Sequence, residues 1–378
     1  MRRSWDIFCT VIDNYGDIGV CWRLARQLAA EHHRSVRLWV DDLTSFARIA
    51  HDVDPQRQQQ RLHGVEIYLW QQPVIAHAEP ADVVIEAFGC ELSADYMQKM
   101  AVKKHPAVWI NLEYLSAESW VPQYHGLPSP HPVLPLTKRF FFPGFMPETG
   151  GLLRECHLIS QRRAFDARSE QKFLQHHSFL ERASAEIRIS LFCYETAPVE
   201  RLIQIFCESS QPVVLFVPEG KAADRISIFL DGRAHHEKLL KCGPLTVQIF
   251  PWLEQAEYDR LLWSCDINIV RGEDSFVRAQ WAAKPFIWTI YPQTEGAHWN
   301  KLNAFLDLYT AQMEIETMNA VQALWTGWNG KDDFNFNIWM NFVALRKSLM
   351  QHNNDWVDQL LKQNDLTSNL VQFVENQL

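Results

Sequence analysis

Short apolar runs alternate with helical patterns through the first part of the chain. Trp5 to Ile12, Val36 to Val40, Val65 to Leu69, Val83 to Ile85 and Val108 to Ile110 are rich in valine, isoleucine and aromatic residues, as expected of strands covered on both faces. Between several of them, notably over Val20 to Ala30 and Ala94 to Val102, apolar positions recur at helical spacing. This order predicts a parallel sheet with helices packed on its faces. From Val121 to Gly151 the pattern breaks, with Pro122, Pro128, Pro130, Pro132, Pro135, Pro143 and Pro147 joined by Gly144, Gly150 and Gly151. No regular element is expected there, and the run Phe140-Phe141-Phe142 points to an ordered surface loop.

A charged, helix-prone segment from Arg154 to Arg182 separates this from a second alternating series. Ile187 to Cys193, Val213 to Val217, Val247 to Phe250, Ile267 to Val270 and Phe286 to Ile290 carry the strand pattern. Val199 to Cys207, Gln255 to Leu262 and Ser275 to Ala283 carry the helical one. The expectation is an α/β protein of two doubly wound halves, 1–165 and 183–354, with a helical tail whose last helix, about 355–378, packs back on the first domain. Two such sheets facing one another would put the carboxyl ends of their strands along a shared cleft, the usual ligand site of open α/β sheets.

Length and composition suit this picture. At 378 residues with 47% hydrophobic side chains, each half has material for its own core. The formal charge of -9 and pI near 5.9 argue against a nucleic-acid or anionic-membrane binder. The start, MRRSWDIFCTVID, lacks the pattern of a signal peptide, and no apolar run is long enough for a bilayer. The eight cysteines are scattered without a CxxC pair, as core thiols of a cytoplasmic protein would be. His32-His33, His176-His177 and His235-His236 are adjacent pairs that diverge on a helix, so no metal site is expected. The excess of tryptophan is expected in packing, although Trp252 and Trp299 lie close to candidate site segments.

Candidate chemistry concentrates in two segments. In RGEDSFVRAQ, Arg271 to Gln280, a buried strand gives way to a helix that Asp274 or Ser275 could cap. A helix start, with Arg271 and the Ser275 hydroxyl assisting, suits a diphosphate; an ordinary capped turn is the alternative. In VIDNYGDIGVCWRLARQLA, residues Asp13, Asn14, Tyr15, Gly16 and Asp17 form the turn after the first strand. Two carboxylates there suit a cationic acceptor or a general base better than a phosphate; simple caps at Asp13 and Asp17 are the alternative. Phe192, Tyr194, Phe250, Trp252 and Gln255 end strands of the second half and could stack and hydrogen-bond a nucleobase, or could be core. Tyr291, Pro292, Gln293 and His298, and the segment Asn111 to Leu115, are rim candidates or plain turns.

These segments, with VRLWVDDL, DVVIEAFGCELS, NLEYLSAESWV, the PSP and FFFPGF run, TGGLLRE and RGEDSFVRAQWAAKPFIWTIYPQ, closely resemble the protein-arginine rhamnosyltransferases that modify bacterial elongation factor P. The resemblance implies a GT-B fold of two facing Rossmann-like domains. It implies an inverting, metal-independent transfer of L-rhamnose from TDP-β-L-rhamnose to an arginine of elongation factor P, an activation that relieves ribosome stalling. By the resemblance, Arg271, Glu273, Asp274 and Ser275 bind the donor, with Glu273 also essential to activity. Phe192, Tyr194, Phe250 and Gln255 fall on positions that line the thymidine and ribose pocket. Asp17 is assigned as general base and Asp13 as the group that holds the guanidinium. No cofactor is expected beyond the donor, and a monomer is expected. Without the resemblance, a GT-B transferase or nucleotide-sugar epimerase acting on a small molecule or lipid would come first, and a binding protein that has lost catalysis would be a third reading.

Overall fold

The computed structural model describes residues 3–12, 15–71, 75, 77–232 and 238–377. The chain forms two compact units, Met1–Cys156 with Leu361–Leu378, and His157–Leu360.

In the first unit the strands are β1 (Ser4–Cys9), β2 (Ser35–Val40), β3 (Gln59–Leu62), β4 (Val65–Leu69), β5 (Val83–Ala87), β6 (Val108–Leu112), β7 (Pro128–Pro130) and β8 (Thr137–Phe141). They make one sheet in the order β3-β4-β2-β1-β5-β6-β8-β7. The two outermost pairs are antiparallel and every other pair is parallel. The chain steps outward from β1 through β2 and then returns to β5 on the other side of β1, so the strand order reverses at β1 and β5. Helix Gly16–Ala30 follows β1 and buries Ile18, Cys21, Trp22, Leu24 and Leu28. Within the sheet, the buried carboxylate of Asp6 accepts from both Arg37 Nε and Nη2, at 2.6 and 2.7 Å, and from Trp39 Nε1 at 3.0 Å. Those bonds satisfy a charge that would otherwise be costly to bury.

β1 is shorter than its apolar run. The amides of Val11 and Ile12 turn to side-chain carboxylates, donating to Asp41 Oδ1 at 2.9 Å and Asp17 Oδ2 at 3.0 Å, and so leave the strand ladder. The proline-rich stretch also differs from expectation. Thr137–Phe141 lies between Pro135 and Pro143, has all its amides, and pairs parallel with β6, while β7 puts its prolines on the sheet's last strand. Helix Val121–Tyr124 precedes them.

The first unit is completed by helix Leu366–Glu375. The buried carboxamide of Gln27 receives Thr367 Oγ1 at 2.7 Å and donates to Arg154 O at 2.9 Å and Asp365 Oδ1 at 3.0 Å. Gly151 sits at a φ of 78°, and a Cβ there would lie 2.7 Å from the Asn364 carbonyl, so a glycine is needed for this close approach.

The second unit has β9 (Ile187–Leu191), β10 (Val213–Pro218), β11 (Leu239–Cys242), β12 (Leu245–Phe250), β13 (Ile267–Arg271) and β14 (Phe286–Thr289) in the order β11-β12-β10-β9-β13-β14. Only the β11–β12 pair is antiparallel, and the strand order reverses at β9 and β13. The first domain was expected to run to 165, but helix Leu158–Arg163 lies in the second unit: Arg162 Nη1 donates to Trp281 O at 2.9 Å. Helix Arg346–Leu360 is held there too, by Trp356 Nε1 on Gln280 Oε1 at 2.9 Å, so the returning tail begins at Leu361 and not near 355.

Tryptophans are used here for both packing and hydrogen bonds. Trp288 stacks on Phe276 with centroids 4.0 Å apart, and Trp325 and Trp328 donate to Phe286 O and Thr289 Oγ1 at 3.2 and 2.7 Å. Of the eight cysteines, Cys9, Cys21, Cys90, Cys193 and Cys265 are buried.

Candidate active site

In the second unit, β9 and β13 end side by side where the strand order reverses, the position at which open α/β sheets leave a ligand crevice. Phe192 and Tyr194 follow β9, and Arg271 ends β13. The Arg271 guanidinium carbon lies 4.3 Å from the Phe192 ring centroid and 4.7 Å from that of Tyr194. A planar cation over two aromatic faces is held by attraction to both rings, worth about 0.5–2 kcal/mol for each contact. Trp252 meets Phe192 edge-on at 5.6 Å, and Tyr291 meets Tyr194 edge-on at 5.3 Å.

After Arg271 the chain turns at Gly272, whose φ of 59° suits glycine, and enters helix Asp274–Ala282. Trp288 Nε1 donates to the Gly272 carbonyl at 2.9 Å and fixes that turn. The N-cap is Glu273, one residue earlier than expected, and its side chain makes no capping hydrogen bond. Asp274 and Ser275 are instead in the first turn. Ser275 Oγ accepts from Arg271 N at 3.1 Å and donates to Arg271 O, so its only proton is used to close the turn. The Asp274 carboxylate receives Gln255 Nε2 at 3.2 Å. Glu273 pairs with Lys301 from helix Ala297–Thr310, Nζ to Oε1 3.2 Å, both side chains being largely buried. The outcome is a helix start without a side-chain cap, beside a stacked guanidinium. That arrangement can receive an anion.

Behind this face the groups are inert. Burial, then the Asp274 carboxylate, pushes the Tyr258 phenol well above its ordinary range, which keeps it neutral. The Cys193 thiol, between Phe192 and Tyr194 in sequence, is pushed by burial up to about 12 and is no nucleophile. Arg278 in the same helix makes a buried two-point ion pair with Asp259, at 2.9 and 2.6 Å, which anchors the helix to Gln255–Ser264. For Phe250 the structure shows the core alternative that its strand-end position also allowed. It is 3% exposed and packs edge-on against Phe179 within the core, because the end of β12 points this side chain inward. His298 takes the Gln293 amide at 3.1 Å, the bond of a structural turn.

In the first unit, Asp13 and Asn14 lie outside the described residues. Tyr15 is the N-cap of helix Gly16–Ala30, and its hydroxyl accepts from Arg48 Nη1 at 2.9 Å. Asp17, in the first helical turn, is 2% exposed and its Oδ2 accepts from the Ile12 amide at 3.0 Å, which ties the helix start to the residues that follow β1. Asn111 is buried and donates to Glu113, and Tyr114 stacks on Phe88 at 4.7 Å. Nothing in the sequence points to Lys301: it stands in an ordinary helical pattern, and its proximity to Glu273 depends on tertiary structure. Among the described residues no group of three or more His, Cys, Asp or Glu is placed to hold a metal, and no helix is long and apolar enough to cross a membrane.

The profile of the family described as elongation-factor P (EF-P) rhamnosyltransferase EarP matches residues 5–375. The chain belongs to that family. It is 46% identical to a protein-arginine rhamnosyltransferase of Pseudomonas putida strain KT2440, with 100% of both chains covered. It is 45% identical to the protein of that name from Pseudomonas aeruginosa strain PAO1, with 98% of each covered. A solved structure described as the structural basis for EarP-mediated arginine glycosylation of translation elongation factor EF-P is 34% identical, with a TM-score of 0.71 and 100% of both chains covered. Acinetobacter baumannii MurG, 12% identical with a TM-score of 0.50 over 100% of both chains, shares the fold alone. This EarP member is thus a GT-B protein and a glycosyltransferase of the protein-arginine rhamnosyltransferase kind.

Proposed function

We propose that this EarP protein transfers L-rhamnose from TDP-β-L-rhamnose to one arginine of elongation factor P, with inversion and without a metal ion. The observation that carries the donor half is Arg271 stacked over Phe192 and Tyr194 beside the uncapped start of helix Asp274–Ala282. A nucleoside diphosphate has two phosphoryl groups for the cation and helix start and a flat base for an aromatic wall. Gln255 could read the edge of the base or ribose, as could Asp274 a sugar hydroxyl. Ser275 supports this site by closing the turn and not through its hydroxyl proton.

The acceptor half follows from guanidinium chemistry. An arginine side chain is protonated, with a pKa above about 12, and its nitrogen electrons are delocalised, so it needs both orientation and a base. In the proposed step a guanidinium nitrogen forms a bond to the anomeric carbon of rhamnose. The carbon–oxygen bond to TDP breaks, and its electron pair leaves with the diphosphate. The nitrogen's proton passes to the Asp17 carboxylate, while Asp13 holds the cation by forked hydrogen bonds. Arg271 and the helix start stabilise the charge that collects on TDP, and Glu273 contributes through its backbone, which opens that helix.

Intact mass of elongation factor P after incubation with this protein and TDP-rhamnose tests the proposal. One added deoxyhexose, located on arginine by fragmentation and undiminished by a chelator, is expected. No gain in mass, or a sugar on another residue type, excludes the acceptor assignment; loss of transfer with the chelator excludes metal independence.

A further inference from the structure

We infer that Lys301 is a positioning residue of the donor site, which keeps the Glu273 carboxylate away from the helix start that the diphosphate is to occupy. The inference rests on the donor reading above and goes further. Glu273 is the N-cap residue of helix Asp274–Ala282, where a carboxylate is attracted to the positive end of the macrodipole and to first-turn amides. No side-chain cap is made there. The Glu273 carboxylate is paired instead with Lys301 Nζ, 3.2 Å away, and the side chains are 13% and 19% exposed.

This pair has two effects on the site. A carboxylate drawn toward Lys301 does not compete for the backbone donors that would bind phosphoryl oxygens. Its negative charge, which would repel a nearby diphosphate, is offset by the ammonium. Helix Ala297–Thr310 therefore contributes to the site through a residue that need not touch the nucleotide.

Calorimetric titration with TDP tests this in four proteins: the parent, Lys301→Met, Lys301→Arg and the double variant Glu273→Gln/Lys301→Met, each checked first for an unchanged thermal melt. Lys301→Met is expected to weaken TDP about tenfold, a change within the range of charge effects at helix termini. Lys301→Arg, which keeps the cation, should stay within about threefold of the parent. The double variant should regain most of the loss, since the carboxamide has no charge to repel the diphosphate and keeps an acceptor oxygen. Parent-like affinity in Lys301→Met overturns the inference. A double variant as weak as Lys301→Met also overturns it, by showing that Lys301 acts on the nucleotide directly. Failure of the parent to bind TDP sinks the donor reading itself, a result separate from either.

Discussion

Arg271 lies flat over Phe192, its guanidinium carbon 4.3 Å from the ring centroid, so the last residue of one strand is held by the first residue beyond its neighbour. Arg271→Ala should weaken TDP binding by roughly tenfold to a hundredfold, the loss of a charge-assisted contact to phosphate, measured by calorimetry. Arg271→Lys should recover little of it, because an ammonium lacks the planar face that stacks on both rings. Unchanged affinity in either variant would remove Arg271 from the diphosphate site.

Asp17 ties the helix start to the Ile12 amide, so catalysis and folding must be separated in its variants. Asp17→Asn keeps an acceptor oxygen for that amide but is a far weaker base. Turnover should fall roughly a hundredfold or more, with TDP affinity and melting temperature near those of the parent. Transfer at near the parent rate would show that the proton goes elsewhere.

The turn at Gly272 depends on the Trp288 indole. Trp288→Phe preserves an aromatic ring against Phe276 but leaves a carbonyl without its donor. A loss of about 1–3 kcal/mol in urea unfolding is expected, the cost of an unsatisfied buried polar group. TDP affinity should fall as well, because the turn positions the helix start. Parent-like stability would mean that the Gly272 carbonyl finds another donor.

His125 gives a pH dependence of known sign. Burial lowers its pKa below the ordinary 6.5, and its Nδ1 accepts the Phe142 amide at 3.1 Å. The unfolded chain therefore binds more protons than the folded one between the lowered value and 6.5. Stability contributed by neutral His125 is complete above 6.5 and is lost as pH falls through that window. His125→Gln, which retains an acceptor without titrating, should flatten this part of the profile in unfolding measurements between about pH 5 and 7.5. His352 is also lowered by burial, and its contribution cancels in the difference between the two proteins. Equal slopes would refute the assignment.

The central parallel strands were legible because Val, Ile and aromatic runs covered on both faces have few alternatives. Edge elements were not. β3 is Gln-Gln-Arg-Leu, without a buried face to write a pattern, and β8 was hidden among prolines that flank it but do not enter it. The aromatic wall and Arg271 could be found from their places at strand ends. Phe250 could not be distinguished from them, since a strand end tells little about which side its final residue faces. The use of the Ser275 proton within the turn, and the pairing of Glu273 with Lys301, arise from tertiary neighbours that no local spacing encodes.

Gln27 grips Thr367 and Asp365, residues made only after the entire second unit has been synthesised. During translation the second unit thus has all its sequence before the first does, reversing the usual order in which an N-terminal domain matures ahead of later ones. The early helix must wait on the ribosome with a polar face intended for a partner not yet emerged. Nascent chains arrested before Leu361 should consequently expose the first unit to protease or chaperone while the second is already shielded.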